Sequence, residues 1–217
     1  MKHIQYYCIG LLLLLAVFPA HAQQPNITSL AGEWRFATDP QNAGEKDAWF
    51  TKVPEHTITL PGTTDEARYG EKTTGSDYGI LTRAYKYIGP AWYQREIVIP
   101  EMSAGKDFEL FIDRVMWESK VWIDDRYCGS QDGLGVPHIH RLGKLGAGKH
   151  LLTMRINNDM IHNIGDKGHA YSEYTQSIWN GAVGRIELRE LGKVGIENLK
   201  IEPDVDARKL KITFDLR

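Results

Sequence analysis

The carboxylates Asp65, Glu66, Asp124, Asp125 and Glu187 are the first residues to weigh as acid-base chemistry. Hydrolysis of a glycosidic bond needs two carboxyl groups about 5–5.5 Å apart for retention, or about 6.5–9.5 Å apart for inversion. Adjacency in sequence does not set that distance. Asp124 and Asp125 lie between two apolar runs and read as turn chemistry, and Glu187 reads as the outward residue of a strand. His138 and His140 alternate, so one strand would carry both imidazoles on one side, where they could share a metal. Zinc needs a third protein ligand, and His150, His162 and His169 have no assigned place. The pair therefore reads as surface or rim histidines beside a turn, with no metal expected. The segment GKLGAGKH (143–150) approaches a phosphate-binding loop. His150 stands where Ser or Thr is required, and a strand-like run follows where a helix must begin, so a turn is expected instead. Cys128 reads as a small, half-buried hydrophobe. No catalytic residue is assigned, and no cofactor.

Aromatic residues carry more information. Six tryptophans and ten tyrosines exceed what a small β-sandwich core needs. Trp34, in GEWRF (32–36), sits on the first predicted strand and reads as core. The segment YTQSIWNG (174–181) instead sets Trp179 among hydroxyls, amides and a glycine. Two readings of it stand. The ring is a platform for the apolar face of a sugar, with Thr175, Gln176 and Asn180 meeting the hydroxyls. Alternatively the ring plugs the end of a core and Asn180-Gly181 is a turn.

These residues need a scaffold, and period-two patterns supply one. Phe108, Leu110 and Ile112 alternate through KDFELFI (106–112), as a half-buried strand requires. SKVWI (119–123), Asp124-Asp125 and RYCG (126–129) read as a hairpin. Runs 92–99, 151–156 and 185–191 are further strands, separated by turn clusters. Many short strands without amphipathic helices predict an all-β antiparallel sandwich or jelly roll. Residues 61–87 and 162–174 lack a period and read as loops gathered at one end of it. After Gly192 two new strands, about 194–201 and 210–216, begin a second unit.

At the front, Lys2 and His3 precede an apolar run (9–18) ending at AHA (20–22), the pattern of a cleaved signal peptide. The run is too short to span a bilayer, so export to the periplasm or the exterior is expected, with no membrane anchor. The single cysteine after that leader excludes an internal disulfide, leaving the fold to an ordinary hydrophobic core. Lys and Arg number 26 against 28 Asp and Glu, interspersed, which offers nucleic acid no basic stripe.

The segments LAGEWRF (30–36), LPGTTD (60–65) and LTRAYKYIGPAWYQR (81–95) occur in that order, followed by VWIDD (121–125), GKHLLTMRIN (148–157) and WNGAVGRIEL (179–188). Together the chain resembles the N-terminal domain of glycoside hydrolase family 2, the β-galactosidase, β-glucuronidase and β-mannosidase group. Asp125 departs from it, standing where the hairpin glycine is usual. The resemblance implies a galactose-binding-like jelly-roll β-sandwich over 23–191 that binds sugar. It implies the first strands of an immunoglobulin-like sandwich over 192–217, with a catalytic barrel further on. The family's retaining mechanism uses two barrel glutamates, one preceded by asparagine, and this chain contains no Asn-Glu pair. What carries over is a set of loops at the rim of the barrel's pocket: Arg83, Tyr85 and Tyr87 from one, Thr175, Gln176, Trp179 and Asn180 from another. The implied partners are a β-glycoside or oligosaccharide and the downstream domains; homo-oligomerisation is compatible with the family. The alternative is a free-standing carbohydrate-binding or adhesion module without hydrolase activity.

Overall fold

A computed structural model describes residues 26–75, 81–165, 167–169, 171–172 and 178–217. The expected leader, Thr175 and Gln176 lie outside the described residues. The strands, in chain order, are β1 (Ile27–Ser29), β2 (Gly32–Thr38), β3 (His56–Leu60), β4 (Gly62–Thr63), β5 (Glu71–Lys72), β6 (Tyr85–Lys86), β7 (Pro90–Ile99), β8 (Asp107–Val115), β9 (Glu118–Ile123), β10 (Arg126–Gln131), β11 (His138–Lys144), β12 (Gly148–Asn157), β13 (Gly181–Glu190), β14 (Ile196–Asp204) and β15 (Lys209–Leu216). They form the antiparallel sandwich that the alternation predicts. One sheet runs β10-β9-β12-β7-β2-β3; the other runs β1-β13-β8-β11, with β4 sharing the edge of β13 that β1 occupies.

The core lies where the inward halves of the alternating strands meet. Trp34, Phe36, Tyr93, Met154 and Ile156 come from the first sheet, Leu110, Ile112 and Leu188 from the second, and all are buried. Phe111 breaks the alternation: it points away from this core yet is buried. Its cover is cationic. The Arg189 guanidinium lies 3.6 Å from its ring centroid and that of Arg185 5.0 Å, so the outer face supplies cation–π contacts in place of a second apolar layer.

Turn chemistry follows the sequence. Asp124 takes the left-handed conformation (φ 57) that the β9–β10 hairpin needs. The 143–150 segment joins β11 to β12 as a strand-to-strand turn. The stretch 61–87 differs from a plain loop, because β4, β5 and β6 fall within it and Tyr85-Lys86 pairs with Glu71-Lys72. β14 and β15 pair with each other and leave Ile201, Leu210, Ile212 and Phe214 exposed. Arg141 on β11 reaches across to Glu197 on β14 at 2.6 Å.

Candidate functional site

The end of the sandwich where β7 and β13 begin is held together by Asn180, which is completely buried. Its Oδ1 accepts from the Tyr93 hydroxyl at 2.7 Å, and its Nδ2 donates to the carbonyls of Gly89 at 2.7 Å and Ile156 at 3.1 Å. One side chain thus ties the loop before β7, the end of β12 and the start of β13. Burial pushes the Tyr93 hydroxyl well above its ordinary pKa, so it stays a protonated donor. The following Gly181 is required by close approach: a Cβ there would lie 2.2 Å from the Gly62 carbonyl oxygen, where β4 crosses onto β13. The Asn-Gly of the WNG motif is therefore a packing device.

Tyr87 plays a similar part. Its hydroxyl donates to the Pro90 carbonyl and accepts the Asp39 N–H at 3.0 Å; burial pushes its pKa up to about 12. Arg83 is buried, and its guanidinium donates to the Ile178 carbonyl, fastening the 81–90 segment to the residue before Trp179. Tyr85 is half-buried on β6, its N–H donating to Asp65 Oδ1 at 2.6 Å. Trp179 is half-buried and packs against Met116, Trp117 and Ile178. The structure thus brings Arg83, Tyr85, Tyr87, Trp179 and Asn180 to one end. The hydrogen-bonding groups of Asn180 and the Tyr87 hydroxyl are satisfied within the protein, while Tyr85 and Trp179 keep partial exposure.

Sequence reasoning missed Trp117. It is fully buried in the tight β8–β9 turn with φ 62, a conformation that costs a bulky residue energy. Its indole N–H donates to the Tyr171 carbonyl at 3.2 Å, and His162 lies 6.2 Å from its ring, so it anchors the loop that follows β12. It also missed the outward aromatics Trp92 and Trp122. An available signal was their phase: each alternates with inward apolar residues, so a buried outward ring implies a second cover. Residues 39–52 supply it, Phe50 stacking on Trp122 at 5.4 Å.

The histidine pair corrects the rim expectation. His138 and His140 do lie on one strand, but both are buried, and the Ser119 hydroxyl of β9 sits between them at 2.7 and 2.8 Å. His138 Nε2 faces the Gly133 carbonyl at 3.0 Å and must carry the proton. His138 Nδ1 then accepts from the Ser119 hydroxyl, whose oxygen also lies 2.8 Å from His140 Nε2. This neutral relay clasps the two sheets. Burial, reinforced by His138, lowers the His140 pKa to about 4. Among the described residues no three His, Cys, Asp or Glu side chains gather as metal ligands. Asp65 and Glu66 are likewise taken up locally, Glu66 accepting the Thr63 N–H at 3.0 Å.

The family model for glycosyl hydrolases family 2, sugar binding domain, matches residues 27–163, and the chain belongs to that family. It is 24% identical over 218 residues to a β-glucuronidase of Paenibacillus borealis, covering 92% of this chain and 35% of that protein. A Ruminococcus gnavus β-glucuronidase in complex with D-glucaro-d-lactam superposes with a TM-score of 0.65 at 14% identity, over 93% of this chain and 35% of the other. An uncultured Clostridium sp. β-glucuronidase gives 0.63 at 20% identity, over 93% and 35%. These structural likenesses show the fold. The chain spans about a third of the length of these relatives.

Proposed function

We propose that this chain is the sugar-binding, non-catalytic portion of an exported family 2 glycoside hydrolase that cleaves O-glycosyl bonds of β-glycosides by retention. The observation that carries this is the alignment of 92% of the chain with a β-glucuronidase of which it makes up 35%. On the strength of that relative's name, we take a β-glucuronide ahead of a β-galactoside as the substrate to test. In this reading the catalytic glutamates belong to a barrel outside the chain. Tyr85 and Trp179 meet the sugar at the pocket rim, the family resemblance adds Thr175 and Gln176 as contacts, and Arg83, Tyr87 and Asn180 hold the loops.

Two assays test it. The complete gene product, given p-nitrophenyl β-D-glucuronide and the β-D-galactoside, is expected to turn over the first faster, while this chain alone turns over neither. Turnover by the chain alone, abolished by Asp65→Asn, would refute the non-catalytic assignment. Mass spectrometry of the protein from the cell exterior or periplasm is expected to give an N-terminus at Gln23; an intact Met1 would refute export.

A further inference from the structure

The cover formed by residues 39–52 is tied by hydrogen bonds where it meets the six-stranded sheet. Asp39 is buried, and its carboxylate accepts the Ala43 and Gly44 N–H groups at 2.8 Å each and the Trp92 indole N–H at 3.0 Å. The next turn, Trp49–Thr51, is a single 3-10 turn. Trp49 N–H donates to the Gly44 carbonyl at 2.8 Å, and its own carbonyl accepts Gln94 Nε2 at 3.0 Å. Beyond this turn two depressions adjoin at Val53. One, of about 330 Å³, is lined by Thr38, Trp49, Lys52, Glu55 and His56. The other, of about 310 Å³, is lined by Arg35, Gln94, Arg95 and Glu96. Each volume is of the size that small ligands occupy.

Three features mark this surface. Trp49 is half-buried on a fixed backbone at the wall of the first depression. Gln94, only 1% exposed, lines the second, and its Oε1 has no hydrogen-bond donor among the described residues. The amide cannot be turned around to relieve this, because the Trp49 carbonyl needs the NH₂ group where it stands. Lys52 and Glu55 are exposed beside the ring without an ion-pair partner among the described residues.

We propose that the two depressions form one carbohydrate-binding cleft for an oligosaccharide of at least two pyranose units, separate from the loop end at Trp179. Trp49 offers its ring to the apolar face of one unit. The next unit lies against Arg35 and Glu96 in the second depression, and Lys52 and Glu55 meet hydroxyls at the edge. The bordering charges have both signs, which favours a neutral, hydroxyl-rich chain over a polyanion. The proposal rests on the reading of this chain as a sugar binder.

The test is a glycan array probed with the full chain, followed by calorimetry of the best-retained oligosaccharide on Trp49→Ala, Lys52→Met and Trp179→Ala. Trp49→Ala is expected to weaken binding about tenfold or more. Lys52→Met, at an exposed position that the fold does not use, is expected to weaken it severalfold and guards against misfolding of the first variant. In the parent, the Trp49 indole N–H resonance is expected to shift on titration. Binding lost only in Trp179→Ala, with Trp49→Ala and Lys52→Met unaffected, overturns the cleft and leaves the sugar-binding reading intact. Retention of no glycan overturns both.

Discussion

Asn180→Ala separates a structural from a ligand-contacting role at the loop end. The substitution strands three buried groups: the Tyr93 hydroxyl loses its acceptor, and the Gly89 and Ile156 carbonyls lose a donor. A buried polar group left unpaired costs about 1–3 kcal/mol. The Ile156 carbonyl lies on a paired strand, so the lower part of that range applies to it, and a total of about 3–5 kcal/mol is expected. Against a typical stability of about 5–15 kcal/mol this is a large fraction. For a domain of this size it lowers Tm by about 10 °C. Tyr93→Phe removes one of the three bonds and is expected to cost about 1–2 kcal/mol. Differential scanning calorimetry and urea unfolding of both variants give the numbers. A Tm within about 2 °C of the parent for Asn180→Ala, together with lost sugar affinity, would refute the reasoning and make Asn180 a ligand contact.

Three further outcomes are expected. The unfolded chain protonates its histidines near pH 6.5, while folded His140 resists to about 4. Its contribution is therefore complete above pH 6.5 and is lost as the pH falls towards 4, on the order of 3 kcal/mol. His140→Phe should flatten that limb of a Tm–pH curve, and an unchanged curve would contradict the buried neutral relay. Gly44→Ala drives a Cβ to 2.4 Å from the Trp92 indole nitrogen and 2.8 Å from Asp39 Oδ2, so about 1–3 kcal/mol should be lost by urea unfolding. An equal midpoint would show that the 39–52 cover yields. Trp179→Ala should weaken sugar binding in the intact protein while the sandwich stays folded; unchanged affinity with a lowered Tm would make the ring core.

The architecture was legible because strand alternation is a local property. Leu110 and Ile112 identify a core-facing edge without knowledge of what they meet, and Asp124-Asp125 marks its hairpin by backbone preference alone. The loop end was legible only in part. Polar and aromatic residues around Trp179 read equally as ligand contacts and as loop ties. For Asn180 and Tyr87, carbonyls distant in sequence occupy their bonding groups. His138 and His140 were placed on one strand correctly and at the wrong depth, because the Ser119 that shares them comes from the opposite sheet.

Taken alone, the sequence determined the all-β class, the phase of most strands, the turn at 143–150 and the resemblance that the family model bears out. Each depends on residues near one another along the chain, where steric preference and period act directly. The tertiary structure decided which polar side chains face solvent. It set Asn180 under Tyr93, closed two sheets over a histidine relay, and left the buried Gln94 Oε1, beside Trp49, unpaired among the described residues. Those outcomes depend on which distant strands become neighbours, and no local pattern encodes the partner.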